Sequence, residues 1–118
     1  MYYNSILISS IRTLFLAGVL ATEFTVDPQQ QDIEPFQWVL CWEANLQSTD
    51  LIQLLVEGFF RKWFHALRQW LEVEGGADFD ELYEWYLGWK NLLPDSIKAD
   101  PTIKTMFALG ELLSSLPF

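Results

Sequence analysis

The sequence predicts an all-α chain of about five antiparallel helices, arranged as a bundle or as a segment of a helical solenoid. Apolar residues recur at three- and four-residue spacing over long windows, and no alternating strand pattern of useful length appears. Hydrophobic residues make up 51% of the chain and aromatics 16%, against 19% charged, which excludes disorder. Pro, Gly and Asp clusters punctuate the periodic stretches at short intervals. At 118 residues the chain suits one domain, burying roughly two-thirds of its unfolded surface. So heavy an apolar load also suggests surface left over for a partner or for the rest of a larger domain.

The first helix covers residues 5–21, with Ile11, Leu14, Phe15, Gly18 and Ala21 as its expected core-facing stripe. Its longest uncharged, mostly apolar run, residues 14–21, is too short to span a bilayer. Met1 to Ser5 carries no Lys or Arg, so the basic start of a signal peptide is missing. Asp27-Pro28 and Gln29-Gln30-Gln31 mark a connection. A helix then starts near Asp32 or Ile33, with Pro35 in its first turn, where a missing N–H is harmless. Phe36, Val39, Leu40, Trp42 and Leu46 supply its apolar side and Trp38 a second face.

Ser48, Thr49 or Asp50 is expected to cap the longest helix, read from about residue 51 to 71. Leu55, Phe59, Trp63, Leu67 and Trp70 form its stripe, widened by Val56, Phe60, Phe64 and Leu71. Gly75-Gly76 ends it, and Asp78 with Glu81 forms a capping pattern before the next. In that helix Leu82, Tyr86, Trp89 and Leu93 share one face, while Asp78, Asp80, Glu81 and Glu84 gather at the positive end of its dipole. Gly88 stands between Trp85 and Trp89, where a glycine costs ~1 kcal/mol relative to alanine. The sequence therefore predicts that a neighbouring backbone approaches there. Pro94 closes this helix, and Asp100-Pro101 opens the last, with Ile103, Phe107, Leu109, Leu112 and Leu113 as its apolar residues.

Chemistry is sparse. No phosphate-cradling loop, paired His ligands or nucleophile elbow is present, so no enzyme activity and no cofactor or metal is expected. Glu81 and Glu84 read as an exposed acidic helix start rather than a catalytic pair. Cys41, the single cysteine, lies among Trp38, Val39, Leu40 and Trp42 and is expected to be a buried, inert thiol. One cysteine and one histidine, His65, build neither a disulfide nor a zinc site. With 16 acidic and 7 basic residues the net charge is −9, a poor match for phosphate backbones. The one basic cluster, Arg61, Lys62 and Arg68, interleaves with Phe60, Trp63 and Phe64, which follow core spacing. The residues expected to build the structure or a partner interface are Trp38, Trp42, Trp63, Trp85, Gly88, Trp89 and Lys90.

From about residue 24 to 113 the sequence resembles the C-terminal part of the GC-rich-sequence DNA-binding-factor-like domain of the tuftelin-interacting and septin-interacting proteins, which are splicing-associated G-patch factors. The resemblance is carried by Asp27-Pro28-Gln29-Gln30-Gln31, Phe36-Gln37-Trp38-Val39-Leu40-Cys41-Trp42-Glu43 and Phe59-Phe60-Arg61-Lys62-Trp63. Trp70-Leu71, Trp85-Tyr86-Leu87-Gly88-Trp89-Lys90 and Asp100-Pro101 complete it. It implies a nuclear, non-catalytic scaffold of the pre-mRNA splicing machinery, in a family that recruits a DEAH-box RNA helicase to dismantle spent spliceosomes. In the family the helicase is engaged through a glycine-rich patch, and no such segment lies within these 118 residues. Residues 1–23 resemble the family poorly, so the expected division is an N-terminal helix over 1–23 and the family domain over 24–118, from a truncated or partial member. The alternative that the apolar N-terminus supports is a small secreted or membrane-associated helical protein.

Overall fold

A computed structural model describes residues 2–28, 30–72 and 78–114, with residues 2–10 as backbone only. Every regular element among them is helical, as the periodicity predicts. The order is α1 (Tyr2–Thr22), α2 (Glu34–Leu40), a 3₁₀ turn (Glu43–Asn45), α3 (Ser48–Leu54), a π segment (Leu55–Phe60) and α4 (Arg61–Leu71). Then follow α5 (Phe79–Leu92), the short α6 (Asp95–Lys98) and α7 (Pro101–Ser114). The chain divides into two units, Met1–Arg61 and Lys62–Phe118. No helix among the described residues is long and apolar enough to cross a membrane.

Helix ends follow local chemistry closely. The Asp78 side chain accepts from the N–H groups of Asp80 and Glu81, satisfying donors that the helix leaves open. Asp100 Oδ1 accepts from Thr102 N at 2.8 Å, with Pro101 as the first residue of α7. Asp32 Oδ1 likewise accepts from Glu34 N at 3.0 Å. The cap expected at Ser48, Thr49 or Asp50 falls instead on Gln47, whose extended backbone begins the helix without a side-chain bond. The stop expected at Gly75-Gly76 lies outside the described residues. Pro94 ends α5 as expected, and α6 follows it directly.

In the first unit α1 lies against α2, α3 and the π segment. Its core is Leu16, Leu20, Phe24, Phe36, Val39, Leu54, Leu55 and Phe59. The rings of Phe24, Phe36 and Phe59 form a triangle with centroids 4.8–6.2 Å apart, a spacing at which tilted aromatic pairs attract. The π segment explains why the adjacent pairs Leu54-Leu55 and Phe59-Phe60 are all buried. An i→i+5 turn brings residues five apart onto one face, where an α-helix would rotate one of each pair outward. Gly58 sits inside that segment, and a Cβ there would lie 2.7 Å from Leu20 Cδ1 and 2.9 Å from Leu20 Cβ.

The stripe expected to bury α1 faces outward instead. Ile11, Leu14 and Phe15 are 65%, 73% and 60% exposed, and Gly18 and Ala21 are exposed too. The helix is apolar on two sides, and the side that meets Gly58 is the one carrying Leu16 and Leu20.

In the second unit Trp63 is fully buried at the centre of an aromatic cluster. Its indole stacks on Trp85 at 5.5 Å and 5°, and meets the edge of Phe107 at 5.6 Å and 82°. Tyr86 meets Phe107 at 5.6 Å, so α4, α5 and α7 are joined through rings. The predicted face of α5 holds in full, since Leu82, Tyr86, Trp89 and Leu93 are all buried. In α7 the buried face is Ile103, Phe107, Gly110 and Ser114. Of the apolar residues expected on this helix, Leu109, Leu112 and Leu113 are exposed, since the face that meets the Trp63 ring carries Gly110 in line with Ile103, Phe107 and Ser114. The Ser114 hydroxyl donates to Gly110 O at 2.8 Å, which satisfies it inside the core.

Candidate interaction surface

The sequence-predicted residues divide into an exposed group in the first unit and a buried group in the second. Trp38 is 41% exposed near the end of α2. Its ring meets Phe15 at 5.6 Å and Trp42 at 6.1 Å, both edge to face. The Arg12 guanidinium lies 5.8 Å from the Trp42 ring and donates to Asn45 O at 3.1 Å, a placement that fixes the cation over the ring face. Ile11 and Leu14 are exposed on the same helix as Phe15, so this surface is aromatic and aliphatic, and its cation, Arg12, is engaged.

Trp63 and Trp89 are core residues, and Trp85 is half-buried between Trp63 and Trp70. The Trp85 Nε1 is buried with no acceptor among the described residues. Its stacking on Trp63 therefore has to outweigh an unsatisfied donor. Lys90 places its ammonium 5.6 Å from the Tyr86 ring and 6.0 Å from Phe107, so it caps the aromatic cluster rather than reaching for a partner.

Gly88 overturns its expectation. Among the described residues a Cβ there would meet nothing within 4 Å. Glu81, Glu84, Gly88 and Asn91 lie at helical spacing, and all are exposed. The close approach occurs at Gly110, where an added Cβ would collide with the Trp63 ring. Cys41 is also corrected: α2 ends at Leu40, and the turn that follows leaves the thiol exposed rather than buried.

Tyr86 donates its hydroxyl to Glu111 Oε1 at 2.5 Å. Burial first, and then that bond to a carboxylate, raise its pKa well above the ordinary tyrosine value. Burial lowers that of Lys62. Among the described residues no cluster of three His, Cys, Asp or Glu is placed to hold a metal. Among the described residues the arrangement offers apolar contact and ring-bound cations.

Two exposed features escaped sequence reasoning. Phe64, Leu109, Leu112 and Leu113 line an open groove of about 550 Å³ in the second unit. Phe79 and Tyr83, four residues apart on α5, are 55% and 38% exposed. The signal for the groove was present in the 103, 107, 110, 114 spacing of α7, which competes with the leucines for the core.

The profile of the family described as GC-rich sequence DNA-binding factor-like protein matches residues 11–67. Over 90 residues, 76% of this chain, the sequence is 38% identical to tuftelin-interacting protein 11 of Xenopus laevis. Over the same length it is 37% identical to that of Gallus gallus and 36% to that of Sus scrofa. The aligned stretch is 11% of the Xenopus and Gallus proteins and 10% of the Sus protein. The chain thus corresponds to about a tenth of the length of the curated relatives it matches.

Proposed function

This chain belongs to the family of the tuftelin-interacting, GC-rich sequence DNA-binding factor-like proteins, and on that basis we propose that it is a non-catalytic helical interaction segment of a nuclear pre-mRNA splicing factor. The observation that carries this reading is the 38% identity over 76% of the chain. The exposed surface of Ile11, Leu14, Phe15 and Trp38 supports it physically, because contiguous apolar area of this kind marks protein contact sites. The role extends, in this reading, to the disassembly of spent spliceosomes. The partners are other splicing proteins, and the DEAH-box helicase is not engaged through these 118 residues, which hold no glycine-rich patch.

Affinity-tagged chain added to a splicing-competent nuclear extract tests the reading. Excised-intron RNA and splicing proteins are expected in the bound fraction, above an acidic helical protein of the same size. Equal recovery by the control would contradict it. In a purified assay the chain is expected to leave the ATPase rate of a DEAH-box helicase unchanged, and stimulation to the level of a full-length relative would show that the glycine-rich patch is dispensable.

Direct nucleic-acid contact is not part of the proposal, since 7 basic residues against 16 acidic ones leave little counterion release. Titration of labelled RNA at physiological salt is expected to show no saturable binding. Micromolar binding that weakens steeply with added salt would reverse that expectation.

A further inference from the structure

We propose that Arg12 is the positioning residue of the aromatic surface in the first unit: with Phe15 it closes a clasp around Trp38 and Trp42 that sets these rings before a partner arrives. The inference rests on the docking role proposed above for Phe15 and Trp38.

The contacts trace a closed path from α1 to α2 and the following turn and back. Arg12 and Phe15 stand three residues apart on α1, so their side chains share one side of that helix. Trp38 of α2 and Trp42 in the turn meet edge to face, with centroids 6.1 Å apart and planes at 70°. Phe15 closes on Trp38 at 5.6 Å and 68°. The Arg12 guanidinium closes the other end, 5.8 Å from the centroid of the Trp42 ring. Its Nη1 also donates to the Asn45 carbonyl at 3.1 Å, which ties α1 to the 3₁₀ turn. That combination suits a planar guanidinium, whose N–H groups donate in its plane while its face covers a ring.

Two consequences follow for docking. Phe15 is 60% and Trp38 41% exposed, and exposed rings free to change rotamer would have to be frozen by a partner at an entropic cost. Held by neighbours at both ends of the path, they are ordered in advance. The charge of Arg12, meanwhile, is directed at a carbonyl and a ring of its own chain. What Ile11, Leu14, Phe15 and Trp38 present is apolar, so the group that fits them is an apolar side chain rather than a carboxylate.

The whole chain carrying Arg12→Lys or Arg12→Ala tests the proposal, with Lys104→Ala as a control at an exposed cation of the second unit. Nuclear Overhauser contacts between the Phe15 and Trp38 rings read the geometry, and recovery of excised-intron RNA from splicing extract reads the docking. Both Arg12 variants should keep their helical circular dichroism and the contacts among Phe24, Phe36 and Phe59. Both should weaken the contact of Phe15 with Trp38 and lower recovery about fivefold. Lysine should not rescue, since it keeps the charge without the fork. Wild-type recovery should hold between about 0.1 and 0.4 M salt, where exposed ionic contacts fade. Lys104→Ala should match the wild type throughout.

Unchanged contacts between Phe15 and Trp38 in both Arg12 variants would overturn the proposal, because the rings would then hold themselves. So would loosened rings with full recovery, which would take the clasp out of docking. Full recovery with Arg12→Lys that fades with salt would make Arg12 an ionic contact instead. Wild-type recovery no better than that of an unrelated helical protein would contradict the proposed function, and the ring contacts would still decide whether Arg12 positions Trp38.

Discussion

Gly110 faces the ring of Trp63, so even a methyl group there must displace the largest side chain in the core. Overpacking of that kind costs about 1–3 kcal/mol, which exceeds the ~1 kcal/mol that better helix propensity returns. Gly110→Ala should therefore lower the urea midpoint, while Gly88→Ala, with open space above it, should raise stability by about 1 kcal/mol. The same shift in both variants would refute the assignment. Gly88 was misread from the tryptophans on either side of it, although it shares its helical face with Glu81, Glu84 and Asn91, which the structure leaves exposed. The placement of Gly110 was not legible, because it depends on where Trp63, 47 positions earlier in the chain, puts its ring.

Tyr86 links stability to pH. Its folded pKa is raised above 10.0, so the unfolded chain gives up this proton first. The stabilisation is complete below pH 10.0 and is lost as pH rises beyond it, with a limiting slope of about 1.4 kcal/mol per pH unit for one group. Tyr86→Phe should remove that component of the alkaline slope and cost about 1–2 kcal/mol at neutral pH through the lost bond to Glu111. Urea titrations of both proteins between pH 8 and 11 check the sign. An unchanged alkaline slope in the variant would show that other groups control it.

At the level of elements, α1 shows why periodicity settles helix type more readily than orientation. Ile11, Leu14, Phe15 and Gly18 make one apolar face, and Leu16 and Leu20 make another. Either satisfies a helical pattern, and the choice rests on Phe24 just beyond the helix and on Phe36, Gly58 and Phe59, which lie farther along the chain. The α5 face was readable because its opposite side is acidic. The π segment left a trace in the adjacent pairs Leu54-Leu55 and Phe59-Phe60, five residues apart, which an α-helical reading assigns only by halves. Leu20→Ala should destabilise the chain by about 2–5 kcal/mol, whereas Leu14→Ala should stay within ~0.5 kcal/mol. Thermal or urea denaturation of the pair decides the orientation of α1, and equal losses would contradict it.

Across the whole molecule, composition and ordered motifs carried the helical class and the family, since both depend on local spacing and on blocks such as Phe36 to Glu43 and Trp85 to Lys90. The exposed surfaces were less legible. Leu112 and Ile11 look like core residues until the positions they compete with are filled. The division into units 1–61 and 62–118 likewise falls where the backbone is helical on both sides and no turn signal marks it.

The proposed role makes this chain a docking segment equivalent to the one it matches in its longer relatives. Replacing that 90-residue segment of Xenopus laevis tuftelin-interacting protein 11 by the aligned residues of this chain tests it most directly. The account predicts that the chimera, in splicing extract, co-purifies excised-intron RNA to the level of the parent, while a chimera carrying an unrelated helical segment of equal length does not. A chimera that expresses and sediments like the parent yet recovers no more intron RNA than that control would contradict it.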